Sequence, residues 1–172
     1  TVKYCNRGKN KGENINSSVN ALLDTIDIAR EEGIALPDRR LILITDISVN
    51  EETARRLDSY RCQSIEIASL DHHSMQHDVV KREWMAIDSS PDTCAAKMLY
   101  IFLCGGNTFL SGMKLRGTLS ADRYVDDVCR YDTWNFSEGD NAYYLNVLLG
   151  ALGKEAYGLP EKEKSVWTNF VR

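Results

Sequence analysis

Two short apolar runs, each ending in a carboxylate, constrain the fold of this chain most strongly. They are Arg40–Asp46 (RLILITD) and Ser64–Asp71 (SIEIASLD), and between them Asn50–Tyr60 predicts a helix capped by Asn50. Continuous β-branched runs of this length are typical of parallel strands covered on both faces. The strand–helix–strand order therefore predicts two neighbouring parallel strands joined by a right-handed crossover.

Further periodic segments extend this unit into an α/β fold. Ser17 or Ser18 is predicted to cap a helix ending at Gly33, and Pro91 or Asp92 to begin a helix that runs to Cys104. Additional strands are expected at Val2–Cys5 and Trp84–Ile87, and additional helices at Ser120–Arg130, Asn141–Leu152 and Glu161–Val171. The predicted fold is α/β: a mostly parallel, Rossmann-like sheet with flanking helices over residues 1–118, then a helical C-terminal segment over 119–172.

Composition excludes several classes of protein. The 172 residues carry a net charge of −4, so no global basic field points to nucleic-acid binding. No apolar run approaches the ~20 residues of a membrane helix, and no signal-peptide pattern opens the chain. The five cysteines form no CxxC pair, which is typical of reduced thiols. These features predict a cytoplasmic protein without a membrane partner.

The chemically interesting side chains follow the two strands. Asp46 follows the first strand, and Asp71-His72-His73 ends the second. Parallel strands bring their carboxyl ends to one edge of a sheet, so Asp46 and His72 are expected to converge there. Oxygen and nitrogen ligands suit Mn²⁺ or Mg²⁺. The alternatives are that Asp46 merely ends a strand and that His72, His73 and His77 lie in a solvated loop.

Four segments, in order, resemble the DHH phosphoesterases, and specifically their oligoribonuclease (nanoRNase) branch. Leu43–Glu52 is similar to the second motif of that family, and Leu70–Ser74 to the Asp-His-His motif that names it. Ser90–Tyr100 resembles the helix that follows, and Arg130–Trp134 the fourth motif. The resemblance covers most of the chain.

The resemblance implies an enzyme that hydrolyses phosphodiesters of short oligonucleotides from one end, as a 3′–5′ oligoribonuclease, with water activated by two Mn²⁺ or Mg²⁺ ions. Asp46 would bridge both ions, and His72 and Asp132 would bind one of them. Asp71 would orient an imidazole, and His73 would face the substrate phosphate. From the residues alone, Asp132 lies between two predicted helices, where an N-cap is the commoner use of an aspartate.

Ser90 and Thr93 lie at a predicted helix start, where backbone N–H groups can bind a substrate phosphate. Plain capping is the alternative reading of both residues. Two other groups carry open alternatives. The tryptophans Trp84, Trp134 and Trp167 either stack on bases or pack internally, and the basic loop residues Arg7, Lys9 and Lys11 either meet phosphates or are solvated. Three cysteines at apolar helix positions, Cys94, Cys104 and Cys129, are expected to be core thiols.

The chain departs from the family pattern at both ends. No segment reads His-x-Asp-x-Asp-Gly, the family's first motif, and no C-terminal substrate-binding domain is recognisable. We therefore expect the middle of a longer DHH protein, inactive or weakly active as it stands. Two other functions remain open: a non-catalytic DHH module that binds a nucleotide or partner, and a pyrophosphatase-like phosphohydrolase. The oligomeric state is also open, with a homodimer among the alternatives.

Overall fold

The computed structural model of this protein describes residues 14–61, 65–75, 78–104 and 119–152. These ranges contain three strands and five helices. In chain order they are α1 (Ile15–Glu31), β1 (Arg40–Thr45), α2 (Glu51–Arg61), β2 (Ile65–Asp71), β3 (Met85–Ile87), α3 (Ala95–Cys104), α4 (Leu119–Asp132) and α5 (Asn141–Leu152). The predictions for Val2–Cys5, Arg7, Lys9, Lys11, His77, Glu161–Val171 and Trp167 lie outside the described residues.

The three strands form one parallel sheet in the order β1-β2-β3. Arg40 pairs with Ile65 at one end of the β1–β2 ladder and Thr45 pairs with Leu70 at the other. All three strands therefore end at one edge of the sheet. The predicted α/β fold, a parallel sheet with flanking helices followed by a helical C-terminal part, is confirmed.

The buried core lies between the sheet and the helices α1 and α2. Its members are apolar side chains from these elements and from the segments before α2 and β3: Val19, Leu23, Ile42, Ile44, Val49, Ala54, Leu57, Tyr60, Ile65, Ile67, Val79, Trp84 and Met85. Trp84 is an internal packing residue, and its indole Nε1 donates a hydrogen bond to Asp58 Oδ1 at 2.8 Å. Cys94 and Cys129 are buried as predicted, whereas Cys104 is exposed at the end of α3, so its prediction as a core thiol is wrong.

The caps of α1 and α2 follow from their first residues. Asn14, and not Ser17 or Ser18, caps α1, because its side chain accepts a hydrogen bond from the Ser17 N–H at 2.8 Å. Asn50 caps α2 as predicted, accepting from the Thr53 N–H at 2.9 Å. Gly33 has a φ of 67° just past α1, the left-handed conformation expected of a residue that terminates a helix.

The starting point predicted for α3 and the capping alternative for Asp132 are both wrong. The helix α3 begins at Ala95 instead of Pro91 or Asp92, because the preceding residues form a turn in which the Thr93 N–H donates to Ser90 O at 3.1 Å. Asp132 is the last residue of α4, so it does not cap the start of a helix. Within the described ranges, no helix is both long enough and apolar enough to span a bilayer.

Candidate metal centre

The structure brings four polar side chains together at the edge where the strands end. Asp46 follows β1, His72 and His73 follow β2, and Asp132 arrives from the C-terminal end of α4. Three of these residues come from the sheet edge and one from a helix that is distant in sequence. The site is therefore formed only when α4 packs beside the sheet.

Asp46 leaves the sheet through a strained backbone conformation. Its N–H still donates to Leu70 O at 2.9 Å, but its φ is 65°, in the left-handed region that favours glycine. In this position Oδ1 of Asp46 lies 3.2 Å from Nε2 of His72 and 3.7 Å from Nδ1 of His73. Strain of this kind, which costs roughly 1–3 kcal/mol, is concentrated at functional sites.

His72 is the most enclosed member of the cluster, with 11% of its side chain exposed. Its Nε2 lies 3.2 Å from Oδ1 of Asp46 and 3.2 Å from Oδ2 of Asp132. Although both oxygens are near, this buried nitrogen makes no hydrogen bond. A buried polar atom without a partner is costly and calls for an explanation, and coordination of a cation between the imidazole and the carboxylates provides one.

Asp71 is almost fully buried and holds His73 in place. Its Oδ1 accepts hydrogen bonds from the backbone N–H of His73 at 3.0 Å and from the ring Nδ1 at 2.8 Å, while Oδ2 accepts from Ser48 Oγ at 2.7 Å. Burial raises the pKa of Asp71, but these hydrogen bonds outweigh burial and hold that pKa below its ordinary value. The ionised carboxylate therefore accepts a hydrogen bond from the Nδ1–H of His73 and fixes the orientation of that ring.

The donor set suits a hard or borderline divalent cation. Asp46, His72 and His73 each offer a ligand atom, and these atoms all lie within 4.8 Å of one another. Asp132 places a further carboxylate oxygen beside His72. Carboxylate oxygens combined with imidazole nitrogens match the ligand preference of ions such as Mn²⁺.

Ser90 and Thr93 turn toward a carboxylate of the chain itself. The Ser90 N–H donates to Asp88 Oδ1 at 3.0 Å, the Ser90 hydroxyl donates to Thr93 Oγ1 at 2.8 Å, and the Thr93 hydroxyl donates to Asp88 Oδ2 at 3.2 Å. The backbone N–H of Ser90 in particular lowers the pKa of Asp88. The turn starts beside the site, because the Asp88 N–H donates to Asp71 O at 3.1 Å. The structure does not bring Ser90 or Thr93 into the cluster of Asp46 and His72.

Sequence reasoning missed Ser48 as a supporting residue. Its hydroxyl bonds to Asp71, a residue on the neighbouring strand. A serine two positions after a strand-end aspartate is the only local signal, and serines are common in such turns. Its role becomes apparent only from the parallel register, which places the end of β1 beside the end of β2.

Asp71→Asn is expected to lower metal-dependent turnover by ~10–100-fold, because an amide cannot accept hydrogen bonds at both of its ends. The neutral amide oxygen also accepts hydrogen bonds more weakly than the carboxylate does, so His73 is held less firmly. The measurement is kcat in Mn²⁺ on a dinucleotide, the kind of substrate that the resemblance in sequence implies. Ser48→Ala, which removes only the Ser48 bond, should lose less, and an Asp71→Asn variant with unchanged kcat would contradict the assignment.

Comparison with known proteins adds one relative. The chain is 28% identical over 147 residues to oligoribonuclease NrnB of Bacillus subtilis (strain 168), an alignment that covers 82% of this chain and 35% of the relative. The chain thus spans about a third of the length of that curated relative. No family model matches the chain, and no solved structure matches it. The similarity supports a distant relation to the DHH phosphoesterases, in agreement with the motif order.

Proposed function

We propose that this chain carries the metal centre of a phosphodiesterase that hydrolyses short oligonucleotides. In this proposal Asp46, His72 and Asp132 would hold a divalent cation such as Mn²⁺ or Mg²⁺, and Asp46 would also contribute to a second metal site. The observation that carries the proposal is the buried Nε2 of His72, which lies 3.2 Å from two carboxylate oxygens and forms no hydrogen bond. The similarity to an oligoribonuclease supports the nucleotide substrate.

The ions, when bound, supply charge neutralisation at the phosphate and lower the pKa of water toward neutrality. The protein contributes the placement of the reacting groups. His73, oriented by Asp71 through Nδ1, presents Nε2 as a donor to a phosphate oxygen, where negative charge grows during in-line displacement. Asp71 remains ionised, because its hydrogen bonds hold its pKa below the ordinary value.

The chain has an overall charge of −4, and this does not conflict with a phosphate-bearing substrate. A site built from carboxylates is itself unattractive to an anion until cations occupy it. Substrate binding is therefore expected to depend on metal rather than on a basic surface. Added salt should weaken binding less than for a protein whose lysines and arginines neutralise several phosphates.

The decisive assay measures release of mononucleotides from a dinucleotide by the 172-residue chain and by the full-length product of its gene. Each is assayed with Mn²⁺, with Mg²⁺ and with EDTA. We expect metal-dependent release that EDTA stops, and a weaker rate from the 172-residue chain if the full-length product is longer. No release by the full-length product in Mn²⁺ would overturn the proposal.

Two further arms separate the alternatives. Inorganic pyrophosphate is offered in place of the dinucleotide, and its preferential hydrolysis would favour a pyrophosphatase-like enzyme. Dinucleotide binding measured by calorimetry, in the absence of any hydrolysis by the full-length product, would favour a non-catalytic nucleotide-binding module. The proposal requires dinucleotide hydrolysis to exceed pyrophosphate hydrolysis.

A further inference from the structure

Trp134 lies close in sequence to Asp132 of the candidate metal centre and is open to solvent. It follows Asp132 by two positions and is 74% exposed, the largest exposed fraction among the large hydrophobic side chains that the structure describes. Trp84, the other tryptophan in the described ranges, is 6% exposed. An exposed indole of this size presents a flat aromatic face to solvent near a proposed phosphate site.

The backbone at Trp134 is held in a conformation that glycine would adopt more readily. Its φ is 56°, and its N–H donates to Tyr131 O at 3.2 Å while the Asn135 N–H donates to Arg130 O at 2.9 Å. The same pair of bonds ends α1, where Gly33 occupies the left-handed position with a φ of 67°. Tryptophan in this backbone conformation costs free energy, and strained residues of this kind are concentrated at functional sites.

The segment that carries Trp134 is fastened to the helices on both sides. The Arg130 guanidinium donates from Nε to Asn135 O at 3.1 Å and forms an ion pair with Asp140, whose carboxylate also accepts from the Ser137 N–H at 2.9 Å. The Phe136 ring stacks near the indole, with centroids 6.1 Å apart and an interplanar angle of 29°. The backbone that carries the indole is thus held in place before any ligand binds, which reduces the ordering cost of binding.

We propose that Trp134 stacks on a base of the nucleotide whose phosphate is held at the metal centre. This inference rests on the proposed function. A nucleotide bound by its phosphate brings one flat, aromatic group to the surface around the site, and the exposed face of an indole is a preferred partner for such a group. Stacking accepts any base, so Trp134 would favour nucleotides over other phosphodiesters without selecting a sequence.

The test compares two ligands: phosphorothioate-linked diadenosine, a slowly cleaved diester, and the same diester with both bases replaced by hydrogen. Each is titrated into the full chain in Mn²⁺, and indole fluorescence and heat are recorded. We expect diadenosine to quench the fluorescence and to bind more tightly than the base-free diester. Trp134→Ala should weaken diadenosine binding by roughly 10–100-fold and leave the base-free diester unchanged.

Two variants separate stacking from a structural role. Trp134→Gly relieves the backbone strain, so it should unfold at an equal or higher denaturant concentration while it loses the base-dependent binding. Trp134→Phe should keep most of the binding, since a smaller ring still stacks. Ile101→Ala, which removes another exposed apolar side chain (61% exposed), is the matched control and should bind as the wild-type chain does.

The outcomes distinguish this inference from the proposed function. Base-dependent binding that requires Trp134, without hydrolysis by the full-length product, would sustain the stacking and remove the proposed function. Dinucleotide hydrolysis with an unchanged KM in Trp134→Ala would overturn the stacking alone. Equal affinity of the wild-type chain for the two diesters would also overturn it, as would a Trp134→Ala change in oligomeric state without a change in affinity.

Discussion

His72→Ala should abolish metal-dependent hydrolysis and reduce the Mn²⁺ affinity of the chain by at least about 100-fold. Loss of a residue that merely supports a ligand costs ~10–100-fold in metal affinity, and loss of a ligand itself is expected to exceed that range. The reason is geometric. Nε2 of His72 lies 3.2 Å from both Asp46 Oδ1 and Asp132 Oδ2. The substitution therefore removes the nitrogen ligand that lies between the two carboxylates.

The thermal unfolding midpoint provides a readout that does not depend on activity. A ligand that binds only the folded chain stabilises it by about 2.7 kcal/mol at a concentration 100 times Kd. The wild-type chain should therefore gain stability on titration with Mn²⁺, and His72→Ala should not. Calorimetry of the same titration gives the affinity directly, and the two measurements should agree.

His77→Ala is the matched control, because it removes the remaining histidine of the sequence, to which no ligand role is assigned. It should keep the wild-type affinity and the wild-type thermal shift. If His72→Ala retained a Mn²⁺-dependent shift as large as that of the wild-type chain, His72 would not be a ligand. Another explanation would then be needed for the buried Nε2 of His72, which forms no hydrogen bond.

The sheet edge was predictable from the sequence because its signals are local. The strands β1 and β2 lie within the two predicted runs and are parallel, and parallel strands end side by side, so Asp46 and His72 are expected to meet. Helix ends were less predictable. Asn14 caps α1, where Ser17 or Ser18 was expected, because several residues that can cap a helix lie within one turn and the sequence does not rank them.

Asp132 shows where local reasoning ends. Its neighbours in sequence fit an N-cap as well as a ligand, and only the packing of α4 against α3 beside the sheet brings its carboxylate to His72. The resemblance to a family anticipated this proximity, but spacing along the chain did not. Trp134 is a similar case, because the sequence does not show whether a tryptophan faces solvent or the core, and the structure separates Trp134 from Trp84.

Asp46→Asn should reduce the Mn²⁺ affinity of the chain more than Asp132→Asn does. Oδ1 of Asp46 lies near both imidazoles, 3.2 Å from Nε2 of His72 and 3.7 Å from Nδ1 of His73. Oδ2 of Asp132 lies 3.2 Å from Nε2 of His72. Loss of a carboxylate shared by two ions is expected to weaken the binding of both ions, whereas loss of a carboxylate that binds one ion should weaken the binding of that ion alone. Asp46→Asn is therefore expected to eliminate tight Mn²⁺ binding and turnover, with at least about a 100-fold loss of affinity.

The comparison is made by electron paramagnetic resonance, which counts free Mn²⁺ as the protein is titrated. Asp132→Asn should retain the binding supported by Asp46 and His72, so its titration should lose only the part that depends on Asp132. Asp126→Asn is the control, because Asp126 is a 63% exposed carboxylate of the same helix whose partner is Lys97 at 3.6 Å. Equal losses in Asp46→Asn and Asp132→Asn would contradict the shared position of Asp46 and would favour one ion bound jointly by both carboxylates and His72.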